Sequence, residues 1–170
     1  MPNKIFIIAG EQSGDNLGGK LLKQIKKLSP NTKISGVGGK QMEEQGLKSL
    51  FPMSEISLMG FWEIVPHLPK LLKRISQTVN EIIKQNPDTL ITIDSPGFNY
   101  RVAAKLRKKG FKGRMIHYVA PTVWAYKEKR AEKTAKLFDE ILCILPWEPP
   151  YFEKHGMKAH FIGHPIFEDF

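Results

Sequence analysis

The chain has 170 residues and one cysteine, Cys143. A single thiol excludes an internal disulfide and any multi-cysteine zinc site. It lies in the apolar run Ile141-Leu142-Cys143-Ile144-Leu145, and this usage fits a reducing, cytoplasmic compartment. Long apolar runs are lacking as well. The longest near the start, Ile5 to Ala9, is five residues. A membrane-spanning helix needs about 20, and the core of a signal peptide about 7–15; neither is predicted. No internal repeat or low-complexity linker interrupts the chain, whose length suits about one domain. Apolar residues make up 41% and charged residues 25%, which argues against disorder and fibrous repeats.

Acidic residues are scarce in one place. Between Arg101 and Lys136 there are 12 Lys/Arg against 2 Glu, a net of +10. The whole chain, with 26 basic and 17 acidic residues, carries +9, so the other 134 residues sum to −1. Such a stretch suits an anionic partner: nucleic acid, an anionic bilayer surface, or a phosphorylated small molecule. It equally describes the solvated outer faces of two helices.

The apolar pattern alternates between short runs and helical periods. Strands are predicted at 4–9, 33–37, 90–93, 115–119, 140–145 and 160–162, with a brief extended piece at 47–52. Helices are predicted at 17–28, 41–44, 100–109, 124–138 and 150–155. Pro66 and Pro69 each remove a backbone donor and crowd the preceding turn. They are expected to split the longest helical pattern into a piece near 60–65 and another at 69–85. Strands separated by helical segments imply right-handed crossovers and a parallel sheet covered on both faces. The fold class is therefore α/β, a Rossmann-like doubly wound parallel sheet. Ligands of such sheets bind beyond the carboxyl ends of the strands, where the glycine-rich and polar loops of this chain fall.

The first loop, Gly10-Glu11-Gln12-Ser13-Gly14-Asp15, leads a strand into a helix whose free amides suit an anion or sugar hydroxyls. It has neither the Gly-Lys-Ser/Thr of a P-loop nor the GxGxxG spacing of a dinucleotide site. It could also be only a tight turn with Asp15 as helix N-cap. Asp94 ends the strand at 90–93, where burial would raise its pKa and suit it to general-base work. Alternatively it satisfies loop amides, with Pro96-Gly97 turning the chain and Asn99 capping the next helix. His117, inside a strand, is either a hydrogen-bonded core residue or a ligand. The remaining histidines, His67, His155, His160 and His164, show no metal-ligand spacing, and no metal is predicted. The segment from Met59 to Ile75 has more apolar positions than one helical stripe needs. Phe61, Trp62, Ile64, Val65, Leu68, Leu71 and Leu72, beside Lys70, Lys73 and Arg74, suit either a helix in a membrane interface or one buried on two sides.

Taken together, GEQSGD, GVGG followed by Met42, LMGFWEI, TIDSPGFN, IHYVAPTVWAY, LPWEP and FIGHP resemble the N-terminal half of the lipid-A-disaccharide synthase family, in order and from Ile5 to Pro165. Two departures stand out: Gln12 where an alanine is commoner, and Gly97 where an aspartate often follows the proline. The resemblance implies the N-terminal half of a GT-B glycosyltransferase. Residues 1–165 would form the acceptor-side Rossmann-like domain, and 166–170 the start of the passage to a C-terminal donor-binding domain, without which little activity is expected. It further implies inverting transfer of 2,3-diacylglucosamine from its UDP carrier to 2,3-diacylglucosamine 1-phosphate (lipid X) in lipid A biosynthesis. In that case Asp94 is the general base. Gly10, Glu11, Ser13, Gly14, Asp15, Asn99 and His117 surround the substrate, and Phe61, Trp62, Ile64, Val65, Leu68, Leu71 and Leu72 meet acyl chains or bilayer. No cofactor is implied. The partners implied are the two lipid substrates and the anionic cytoplasmic face of the inner membrane, with no nucleic acid. The alternative is another GT-B UDP-sugar enzyme, such as an epimerase or an N-acetylglucosaminyl transferase.

Overall fold

The computed structural model describes residues 3–57, 61–120 and 128–165. Six parallel strands form one sheet in the order β2-β1-β3-β4-β5-β6. They are β1 (Lys4–Ala9), β2 (Lys33–Val37), β3 (Thr89–Ile93), β4 (Arg114–Tyr118), β5 (Glu140–Cys143) and β6 (Lys158–Phe161). The connecting helices are α1 (Gln12–Leu28), α2 (Lys40–Glu44), α3 (Phe61–Gln85), α4 (Pro96–Lys108), α5 (Glu128–Leu137) and α6 (Pro149–Glu153).

Side chains along a strand alternate between faces, and here each face feeds its own core. Phe6, Ile8, Leu90, Met115, Ile141 and Cys143 pack with Ile75, Val79 and Ile82 of α3 and Val102, Ala103 and Leu106 of α4. Ile7, Ala9, Ile91 and Ile93 pack with Leu22 of α1 and Met42 of α2. Helices cover both faces of the sheet, as expected, but unequally. From β2 onward every crossover steps in the same direction, so right-handed connections put α3 to α6 on one face. Only α1 and α2 cover the other, and there Ile116, Tyr118 and Leu142 remain half-buried.

Three expectations change. The helix with two prolines runs unbroken as α3. Residues 66–70 are all exposed, so neither proline ring is forced against the core, and Leu71, Ile75, Val79 and Ile82 anchor the rest. Helix α4 starts four residues before the expected 100, with Pro96 as its first residue, where a missing N–H costs nothing and φ is already helical. The strand expected to reach Leu145 stops at Cys143, because the buried Glu148 carboxylate turns back to accept the Leu145 amide at 3.4 Å. The front of the helix expected at 124–138, and residues 166–170, lie outside the described residues.

Asp15 is not the N-cap of α1; that position belongs to Glu11, with extended backbone. Asp15 sits one turn inside α1, fully buried. Its carboxylate accepts the amides of Gly39 at 2.8 Å, Gln41 at 2.9 Å and Met42 at 3.1 Å, which caps α2 from across the fold. Close approach also governs Gly36, at φ 154°, where a Cβ would lie 1.8 Å from the Ile7 carbonyl of the neighbouring strand. Asp15→Ala leaves three amides without their acceptor. It should cost about 2–4 kcal/mol in urea unfolding, and Asp15→Asn should recover part of that loss.

Candidate active site

The strand order reverses at β1. The chain leaves β1 for β2 on one side and returns by α3 to β3 on the other, which makes the carboxyl ends of β1 and β3 the topological switch point of the sheet. Ala9 pairs with Ile93 and Ile93 with Tyr118, so Gly10-Glu11 and Asp94-Ser95 emerge side by side. A Cβ on Gly10 would meet the Ser95 Oγ at 2.6 Å; only glycine lets these loops approach this closely.

The backbone there is strained. Asp94, Ser95 and Val119 have φ of 47°, 42° and 73°, in the left-handed region that non-glycine residues avoid. Three contacts hold it. The Asp94 amide donates to the Tyr118 carbonyl at 2.9 Å. The fully buried Asn99 amide group donates to the carbonyls of Asp94 at 2.9 Å and Ile93 at 3.3 Å. Asn99 thus braces the loop from inside α4 and does not cap the helix.

Asp94 is half-buried. Desolvation pushes its pKa above the ordinary 3.8, and the charge of Glu11 and a hydrogen bond shared with the Glu11 carboxyl push it the same way. Burial and the neighbouring carboxyl thus act in the same direction on Asp94. Ser13 is exposed and donates to Glu11 Oε1 at 3.3 Å, so it orients Glu11. A cleft of about 230 Å³ opens against Glu11 and against Ser95, the residue after Asp94. Glu11, Ser57, Ser95 and Arg101 supply its polar groups, Ile56, Leu71 and Phe98 its apolar wall, and Gly10, Pro96 and Gly97 its rim.

The structure therefore brings Gly10, Glu11, Ser13 and Asp94 together, with Asn99 behind them. Three other expected residues, Asp15, Gly14 and His117, are buried and do not line this cleft. Asp15 is occupied with α2. Gly14 is buried, and a Cβ there would lie 3.4 Å from Ala9 and 3.5 Å from Ile93; it packs helix on strand. His117 is 1% exposed, bonds Thr92 Oγ1 through Nδ1 at 2.6 Å, and lies against the rings of Tyr100 and Phe138. Burial takes its pKa down to about 3, so it stays neutral. Among the described residues no cluster of three His, Cys, Asp or Glu could hold a metal.

The apolar segment divides. Leu71 is buried in the cleft wall, while Leu68 and Leu72 are 38% and 45% exposed. The side chains of Phe61, Trp62, Ile64 and Val65 lie outside the described residues. Lys70 and Arg74 pair with Glu55, so they are not simply a basic fringe. The basic stretch divides as well. Lys105, Arg107 and Lys108 close the far end of α4, and Arg114 pairs with Glu140 at the start of β4; both lie at the end of the sheet away from the cleft. Arg101 lines the cleft, and Arg130 and Lys133 line a neighbouring groove that shares Pro96 and Gly97 with it. Sequence reasoning missed Ile56, Ser57, Ser95 and Arg101. The signal for Arg101 was its spacing of one helical turn from Gly97.

Removing the Glu11 charge by Glu11→Gln should lower the Asp94 titration midpoint, read from its side-chain carboxyl in carbon-13 NMR. Asp94→Asn should raise stability at neutral pH. The fold raises the Asp94 pKa, so the ionised carboxylate opposes folding. The gain should shrink as pH falls through the raised value and vanish below 3.8.

A family model described as lipid-A-disaccharide synthetase matches residues 5–170. The lipid-A-disaccharide synthase of Rickettsia bellii (strain OSU 85-389) is 55% identical over 166 residues, covering 97% of this chain and 43% of that protein. That of Rhodospirillum centenum is 49% identical over 168 residues, covering 98% and 42%. The chain thus spans less than half the length of these relatives. Among solved structures, the UDP-GlcNAc 2-epimerase of Neisseria meningitidis, bound to UDP-GlcNAc, shares the fold. Its TM-score is 0.65 at 9% identity, covering 97% of this chain and 47% of that one. With the motifs in order from the first strand to the last and a family match across the sheet, this chain belongs to the lipid-A-disaccharide synthase family.

Proposed function

We propose that this chain is the acceptor-binding half of a glycosyltransferase that moves 2,3-diacylglucosamine from UDP to the 6-hydroxyl of lipid X. The observation that carries the proposal is Asp94, half-buried at the switch point and paired with Glu11 beside a cleft with one apolar wall. The Asp94 carboxylate takes the proton of the acceptor hydroxyl as that oxygen bonds to the anomeric carbon of the donor. The bond from that carbon to the diphosphate breaks, and UDP leaves with the electron pair. A single base on the acceptor side suits inversion by direct displacement. Raising its pKa brings the base closer to the operating pH and strengthens it as a proton acceptor, while the Asn99 brace and the strained turn fix its direction. Ile56, Leu71 and Phe98 form the wall along which an acyl chain of the acceptor lies. The nucleotide sugar would be held by residues of the longer relatives that have no counterpart here.

Both substrates of this reaction are lipids, so the protein works at the cytoplasmic face of the inner membrane. No helix of the described residues is long and apolar enough to cross a membrane. Leu68 and Leu72, four apart on α3 and exposed, are the surface that would enter the interface.

In a protein of the relatives' full length, Asp94→Asn should lower kcat by about 10²–10⁴-fold with the fold intact by circular dichroism; unchanged disaccharide formation rules out the base. Leu68→Glu with Leu72→Glu should abolish cosedimentation with vesicles containing phosphatidylglycerol. Undiminished sedimentation would place membrane contact elsewhere.

A further inference from the structure

Helix α3 gives the cleft Leu71 as part of its wall. Three residues further on, Arg74 reaches across to Glu55, in the short 3-10 turn Met53–Glu55 that leads into Ile56 and Ser57. Its Nε donates to Glu55 Oε2 at 2.5 Å, Nη2 meets the same oxygen, and Nη1 donates to Gln77 Oε1 at 2.5 Å. The guanidinium lies over the buried Phe51 ring, with Cζ 4.8 Å from the ring centre. Lys70 reaches the other Glu55 oxygen at 3.2 Å. Burial pushes the Glu55 pKa up, but the hydrogen bonds and charges of Lys70 and Arg74 hold it below the usual 4.5, so the carboxylate stays ionised at neutral pH. Two residues beyond Glu55, the Ser57 hydroxyl donates to the Gly10 carbonyl at 2.5 Å, with the Met53 carbonyl 3.1 Å away.

We propose that Arg74 is a positioning residue for the Asp94–Glu11 pair, acting through Glu55 and Ser57 on the peptide between Gly10 and Glu11. The proposal deepens the acceptor reading above and rests on it for its bearing on catalysis. The Gly10 carbonyl and the Glu11 N–H belong to one planar peptide, so a donor on that carbonyl fixes the plane from which the Glu11 side chain departs. Gly10 is poorly able to hold that plane by itself, because it has no Cβ to restrict φ and ψ. The Glu11 side chain makes no capping bond to α1, and within its loop it is bonded by the exposed Ser13 at 3.3 Å. An outside hold on the peptide therefore decides where Glu11 stands. The start of the segment that supplies this hold is anchored on β2: the Leu50 amide donates to the Gly36 carbonyl at 2.9 Å, and Ser49 Oγ accepts the Gly38 amide at 3.1 Å. Its end, from Met53 to Ser57, is the part that Arg74 grips. Ile56 and Ser57 on one side and Leu71 on the other line the same cleft, so the Arg74–Glu55 contact ties two of its walls from behind. The grip is specific to arginine. Two nitrogens face one carboxylate oxygen, a third takes Gln77 and the flat face lies on Phe51, which a lysine ammonium cannot do at once.

The test is a pH titration of the Asp94 side-chain carboxyl in carbon-13 NMR, combined with urea unfolding. Glu11 pushes the Asp94 pKa up, so a change that lets Glu11 drift away should lower the midpoint. Ser57→Ala, Arg74→Lys and Glu55→Gln should each lower it, by less than Glu11→Gln does, and should lower it no further in the Glu11→Gln background. Ile82→Val, in the buried tail of the same helix, should reduce stability in urea and leave the midpoint in place. The proposal is overturned if Ser57→Ala or Arg74→Lys destabilises the fold without moving the Asp94 midpoint, which would make the contact purely structural. It is equally overturned if either variant shifts the midpoint as much with Glu11 replaced as with Glu11 present. Should Arg74→Lys fail to fold, Glu55→Gln carries the same decision. In a protein of the relatives' full length, Ser57→Ala and Arg74→Lys should lower kcat by up to about 10²-fold. If Asp94→Asn leaves that activity unchanged while the midpoints still couple, the base assignment fails and the positioning of the pair stands. Loss of activity in Asp94→Asn with uncoupled midpoints removes the positioning role and leaves the base.

Discussion

A half-buried carboxylate that lies beside a second carboxyl group is disfavoured in its charged form, because repulsion and poor solvation act in the same direction. The Asp94–Glu11 pair sets that constraint here, and much of the local architecture serves to maintain it. Gly10 has no side chain because Ser95 occupies the space. Asn99 spends its amide protons on two backbone carbonyls of the turn. Asp94 and Ser95 keep left-handed backbone angles at the end of a strand whose other residues are ordinary β. The left-handed backbone opposes stability locally, and the Asn99 hydrogen bonds and the two buried cores flanking the sheet offset it.

The topology explains why the pair forms there and nowhere else among the described residues. At the switch point two consecutive loops of the sheet part to opposite faces, leaving a crevice that no crossover helix fills. Helix α4 begins directly beyond Asp94 and brings Pro96, Gly97 and Arg101 to the rim. Because all later crossovers step in one direction, α5 lies beside α4 and can present Arg130 and Lys133 to the same turn. Acid, base-orienting and cationic groups thus come from segments far apart in the chain yet fall within one corner of the sheet.

Much of the fold was legible in the sequence. The apolar run from Ile5 to Ala9 closed by Gly10, and the similar runs before Asp94 and Val119, signal buried parallel strands that feed loops at one edge. The failures share a cause. Pro66 and Pro69 were read by local rule as breaks, but an exposed flank and a well-anchored helix tail tolerate them. Asp15 had two open readings, a substrate contact or a cap for its own helix, yet it caps another that lies 24 or more residues further along the chain. His117 had two open readings, and burial between Tyr100 and Phe138 decided for the core. In each case the deciding partner was distant in sequence.

Period and composition by themselves determined the layered α/β architecture, the edge of the sheet at which the polar loops gather, and the strand-end position of Asp94. These follow from backbone geometry and from the free-energy cost of leaving apolar side chains in water, which act along a few consecutive residues. Only the tertiary structure decided that Glu11 is the partner of Asp94, that Leu71 faces the cleft while Leu68 and Leu72 face solvent, and that the basic stretch splits between two ends of the molecule. Those outcomes depend on distances across the sheet, where electrostatic interaction and desolvation vary over a few ångströms that no one-dimensional spacing specifies.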